Sequence, residues 1–155
     1  MFNERQIAKA EEKVLMPDSK VSMIINKCPI QWVNGICIHL NVNEKLRRDQ
    51  KAKEIADKLR SSLKDVVKNL PEKSKEALKL VSDKGGVVKY GMLEDYDDDI
   101  TFWWSEQPPD STIGVLRLNC LLAVGKVPMG GRLYKSAIIP SDIREGLKEL
   151  LRKDE

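Results

Sequence analysis

Apolar positions along this chain change their spacing several times, and each change marks an element. Residues 3–15 place Ile7, Ala10, Val14 and Leu15 among charges at helical intervals, and Pro17 closes that run. Residues 1–20 therefore read as a flexible or docking N-terminal arm ahead of a single globular domain over 21–155. From Val21 to Val42 the spacing reads as β. Ile30–Val33 and Ile36–Val42 flank Asn34-Gly35, a pair suited to a type I′ turn because Asn and Gly tolerate positive φ. A hairpin there would oppose Val33 to Ile36 and Trp32 to Cys37, with Val33, Ile36, Ile38, Leu40 and Val42 on one face.

The period then becomes helical. Asn43 is positioned to cap a helix whose apolar stripe is Ala52, Ile55, Ala56, Leu59, Leu63, Val66, Val67 and Leu70, with Lys53, Arg60, Lys64 and Lys68 on a neighbouring face. Pro71 divides this helix from a second, with Ala77, Leu78, Leu80 and Val81 inward and Gly85-Gly86 as its stop. Val87–Leu93 fits a short strand or an irregular link. A final amphipathic helix opens at Asp142 and Glu145, read as a capping box, with Ile143, Leu147, Leu150 and Leu151 inward. The expected fold is α+β and mostly helical: an N-terminal β-hairpin, a central helical pair and a C-terminal helical subdomain.

A length of 155 residues with 33% charged and 41% apolar residues suits one soluble domain. No apolar run approaches the roughly 18 residues of a membrane helix, so no membrane partner is expected. The first residues lack an apolar signal core, and three cysteines without close pairing fit a reducing compartment. A cytoplasmic protein is the expectation. The net charge of +3 conceals segregation: residues 44–89 hold 14 bases against 8 acids, 94–110 hold 7 acids and no base, and 111–155 hold 8 bases against 5 acids. Basic surfaces of this kind suit phosphate-rich partners and also simply solvate helices.

Enzyme chemistry finds little support. Asp95, Asp97, Asp99 and Glu106 fall at calcium-loop positions, with Phe102 at the apolar position, but Ile100 stands where that loop requires glycine. Cys28, Cys37, His39 and Cys120 are the entire cysteine and histidine inventory and include no Cys-x-x-Cys pair for zinc. A single histidine, no Gly-x-Ser-x-Gly elbow and no Walker or Rossmann glycine spacing leave no catalytic residue and no cofactor to name. The aromatic run Phe102, Trp103 and Trp104 fits a core or a protein-partner surface.

The stretch from Gln107 to Ile139 supports two readings. In the first, a winged helix-turn-helix, Ser111–Val124 is the recognition helix and Lys126–Ile139 a wing turning at Gly130-Gly131. Strands are then expected at 126–128 and 132–138, with Arg132 and Lys135 on phosphates. Arg117 and Asn119 are the only distinctly polar residues between Ile113 and Val124.

In the second reading, Gln107-Pro108-Pro109, an apolar helical segment, Met129-Gly130-Gly131-Arg132-Leu133-Tyr134 and a closing amphipathic helix resemble the C-terminal domain of the primase large subunit. That resemblance covers roughly the last third of the chain. The family's cluster cysteine after Pro-Pro is Asp110 here, and its histidine before Gly-Gly-Arg is Met129, so a four-cysteine iron–sulphur cluster cannot form. What the resemblance implies is a cluster-free relative, similar to the small non-catalytic third primase subunit of crenarchaeal archaea. Such a protein would support primer synthesis in DNA replication beside catalytic and large primase subunits. It would bind nucleotides, single-stranded DNA or a primer–template through Arg132. Lys126, Lys135 and Arg117 join it on electrostatic grounds. This reading expects a helix from about Gly130 to Ile139.

Overall fold

The structure is a computed structural model that describes residues 4–97 and 109–153. It is a mostly helical α+β fold with one small antiparallel sheet. The helices are α1 (Glu4–Ala10), α2 (Val21–Ile25), α3 (Ile30–Leu40), α4 (Arg48–Lys68), α5 (Glu72–Asp83), α6 (Thr112–Leu118) and α7 (Arg144–Lys153). The strands are β1 (Val87–Lys89), β2 (Ala123–Met129) and β3 (Arg132–Ile138), in the order β1-β3-β2. A 3₁₀ helix over Tyr90–Tyr96 follows β1, and a short 3₁₀ turn over Ser141–Ile143 precedes α7.

The largest departure from the sequence reading is the region 21–42, which is helical. Within Ile30–Leu40 the buried residues are Trp32, Val33, Ile36, Cys37 and Leu40. Those positions step by one, three and four, the period of a helix face rather than of alternating strand faces. Asn34-Gly35 consequently lies within α3 and turns nothing. The Asn34 amide oxygen instead accepts a 2.8 Å hydrogen bond from the ammonium of Lys51, a buried lysine on α4. Pro29 precedes the first turn, where its missing N–H costs nothing. Asn41 ends the helix in the left-handed region at φ 60°.

The central helical pair forms as read, with a shifted start. Asn43 caps only a local turn, accepting from the Lys45 N–H at 3.0 Å, and α4 begins at Arg48. Ala52, Ile55, Ala56, Leu59, Leu63 and Val67 are buried along it. At Ser62 the helix kinks (φ −117°, ψ 16°), and the Ser62 hydroxyl donates to the Lys58 carbonyl, a back-bond known to bend helices. Ala77, Leu78 and Val81 of α5 join the same core, and Gly85 and Gly86, at φ 91° and 93°, release the chain into β1.

The C-terminal region is not a helical subdomain. The segment 130–139, expected as a helix from the primase resemblance, is a turn and strand β3. Met129 pairs with Arg132 across Gly130-Gly131, at φ 56° and 83°. Two consecutive residues at positive φ make the tight turn that suits the right-handed twist of a hairpin, and glycine reaches that geometry without steric cost. The wing strands expected from the other reading therefore form, β3 over the expected residues and β2 extended at both ends to Ala123–Met129. The recognition helix of that reading is shorter than Ser111–Val124: α6 ends at Leu118, and Cys120 takes φ 57° to turn the chain into β2.

Two apolar layers enclose the sheet. Val88 and Ala137 join the main core with α3 to α7, while Ala123, Val127 and Ile138 pack against Leu15 and Ile24. The N-terminal arm is docked. Helix α1 is shorter than the reading of 3–15, and its Ile7 packs against Trp32. Beyond it, Val14 forms a parallel bridge with Lys126, so residues 13–15 cover the outer edge of β2. The Asp142 carboxylate reaches across the fold to the Val21 N–H at 3.1 Å. Among the described residues no helix is long and apolar enough to cross a membrane.

Candidate nucleic-acid interface

Strands β2 and β3 carry three of the four basic residues singled out in the sequence. Lys126 and Lys135 are direct cross-strand partners, so strand alternation puts them on one sheet face. Arg132, the first residue of β3, is exposed at the hairpin tip and makes no ion pair among the described residues. Lys89 of β1 lies 4.0 Å from the ring centre of Tyr134, and Lys135 lies 4.3 Å from that of Tyr90. Burial, together with a 2.6 Å hydrogen bond to the Asp97 carboxylate, pushes the Tyr90 hydroxyl well above the usual tyrosine range.

Arg117, the fourth, does not belong to this surface. It is 7% exposed, sits 4.9 Å from the Trp32 ring centre, and pairs with Glu11 at 2.6 Å. Its position in α6, apart from the strands, turns it inward, and its place is structural. The same Glu11 also reaches Lys135 at 3.3 Å, and Glu12 stands 4.0 Å from Lys126. The arm therefore lays two carboxylates against three of the four candidates. Sequence reasoning passed over Glu11 and Glu12, because nothing local announces a contact spanning over a hundred residues.

Helix α6 itself offers little to a ligand. Thr112, Ile113, Gly114, Leu116, Arg117 and Leu118 are all buried, and Val115 is half-buried. Ser111 caps it, its hydroxyl accepting from the Gly114 N–H at 3.0 Å, and the Thr112 carbonyl accepts from Ser74 of α5. Asn119, just beyond it, shares a 2.9 Å hydrogen bond with the imidazole of His39 on α3.

The other candidate chemistries dissolve or fall outside. No three His, Cys, Asp or Glu side chains among the described residues could hold a metal together, and the three cysteines are free thiols. Burial pushes the Cys28 thiol up to about 11, with Arg117 and Arg48 opposing, and raises Cys37 and Cys120 as well. These are poor nucleophiles at neutral pH. Of the calcium-loop positions, Asp99, Ile100, Phe102 and Glu106 lie outside the described residues, as do Phe102-Trp103-Trp104 and Gln107-Pro108.

Comparison with protein-family models, with curated proteins and with solved structures finds no match.

Proposed function

We propose that the protein binds nucleic acid through the β2–β3 hairpin, in the manner of a winged helix whose wing carries the contact. The observation that carries this reading is Arg132, an exposed guanidinium at a glycine-turned hairpin tip with no counter-ion among the described residues, while Lys126 and Lys135 stand further along the same hairpin on its opposite face. A guanidinium so placed suits phosphate oxygens, which its fork of donors matches in geometry. Lys126 joins readily, because its 4.0 Å pairing with a largely exposed Glu12 is a weak one that phosphate can displace.

The buried α6 narrows the reading further. Base-edge recognition needs polar side chains presented to a groove, and α6 presents none. The contact is therefore with the phosphate backbone and indifferent to sequence, unlike that of a sequence-specific transcriptional regulator. The accessory-primase role implied by the resemblance would use the same Arg132, but it has lost the helix expected over 130–139.

Fluorescence anisotropy separates these readings. Labelled duplex DNA, single-stranded DNA and a primer–template with a 5′-triphosphate or a 5′-hydroxyl are titrated with the wild type and with Arg132→Ala. Wing binding predicts salt-sensitive affinity for duplexes of unrelated sequence, no triphosphate preference, and a slope against log salt lower by about 0.9 in the variant. A triphosphate preference abolished by Arg132→Ala would favour the primase reading. Absence of any salt-dependent binding would overturn both and leave a protein–protein adaptor.

A further inference from the structure

A second basic feature lies beside the hairpin, assembled from residues scattered between positions 9 and 48. A cleft of about 590 Å³ opens between α1 and the loop joining α2 to α3. Lys9, Lys13, Lys27 and Arg48 line it, and among the described residues no acidic side chain does. Two of these cations are held in place by main-chain carbonyls. The Lys27 ammonium donates to Val14, and one terminal nitrogen of Arg48 donates to Ile25, Asn26 and Cys28 at 3.2, 3.4 and 2.7 Å. The remaining guanidinium nitrogens of Arg48 make no hydrogen bond among the described residues, and Lys9 and Lys13 are exposed.

Four like charges around one concavity repel one another, and low-dielectric walls focus their field. A bound anion relieves that repulsion. We propose that this cleft is a phosphate-binding subsite for the nucleic-acid backbone engaged by the hairpin, an inference that rests on the hairpin reading. Continuity supports that ligand over a small free anion. The Lys13 carbonyl accepts the Lys126 N–H at 2.8 Å, so one wall of the cleft is hydrogen-bonded to the wing strand itself. From Lys126 to the turn beyond Met129 is roughly 10 Å at the rise of a β-strand. A short run of consecutive phosphates can therefore bridge Arg132 and the cleft. The two anchored cations would fix the path while Lys9 and Lys13 adapt.

The test is duplex DNA binding by anisotropy across a series of salt concentrations. It compares the full chain with Lys9→Ala/Lys13→Ala, with Arg132→Ala, and with the control Lys64→Ala/Lys68→Ala on the exposed face of α4. The cleft lysines are exposed, so their removal leaves the fold intact. The expected result is affinity about tenfold weaker at low salt and a slope lower by about 1.8 for the cleft variant, with the control unchanged. Weakening by Arg132→Ala with no effect of the cleft pair would overturn the cleft and keep the wing. Weakening by the cleft pair alone would keep the cleft and overturn the wing as anchor. Equal weakening by the control pair would reduce both to general surface charge and overturn the subsite.

Discussion

Truncating Arg117 to alanine leaves the buried Glu11 carboxylate without its 2.6 Å partner. Removing one member of a buried ion pair is costly because the other charge stays desolvated. The expected loss is about 3 kcal/mol in urea unfolding, softened by Lys135, which also reaches Glu11. Arg132→Ala should change stability by less than about 0.5 kcal/mol, the usual size for an exposed side chain, while weakening DNA binding. If both variants proved equally stable, the structural assignment of Arg117 would fail. Alkaline pH supplies a second test at this scale. The Cys28 thiol rises from an ordinary 9.0 to about 11 in the folded state. Between those values the unfolded chain has released the proton and the folded chain retains it. Stability from this group is complete below pH 9 and is lost progressively as pH rises toward 11. Stability measured from pH 8 to 10.5 should therefore fall, and Cys28→Ala should fall less steeply over that range.

At the scale of elements, the docking of residues 13–15 on β2 depends on a missing side chain. A β-carbon at Gly125 would meet the Lys13 carbonyl at 2.7 Å and the Leu15 side chain at 2.8 Å. Backbone cannot yield as the end of a flexible side chain does, so Gly125→Ala should unseat the arm. The expected signs are destabilisation by about 1–3 kcal/mol and faster proteolytic cutting within residues 1–20 than in the wild type. An arm equally protected in the variant would contradict this packing. Helix α3 shows the same dependence on neighbours. Its Asn34-Gly35 favours a turn locally, but burying Trp32, Val33, Ile36, Cys37 and Leu40 on one side outweighs that preference. The Lys51 bond to Asn34 then joins α3 to α4.

At the scale of the whole molecule, charge is arranged by the fold more than by the chain. The arm brings Glu11 and Glu12 to the hairpin and, on its other side, Lys9 and Lys13 to the cleft. One short segment therefore both masks and extends the basic surface. Glu12→Gln should free Lys126 and tighten duplex binding by about twofold at low salt, a gain that shrinks as salt screens the field. Unchanged affinity would mean that Lys126 does not meet the ligand.

The sequence by itself determined the helical pair 48–83, the inward faces of α4, α5 and α7, the Gly-Gly stops and the mostly helical α+β class. Each follows from periodicity and turn chemistry, which act over a few residues. It also singled out Arg132, through both the wing reading and the Gly-Gly-Arg that the primase resemblance shares. Tertiary structure alone decided between strand and helix at 132–138, where both periods fitted, and overturned the hairpin reading at 30–40. It decided too that Arg117 faces Glu11, that α6 is buried, and that Lys9, Lys13, Lys27 and Arg48 share a cleft. Those outcomes depend on burial against distant partners and on charges brought together across long stretches of chain, and a local pattern carries no record of either.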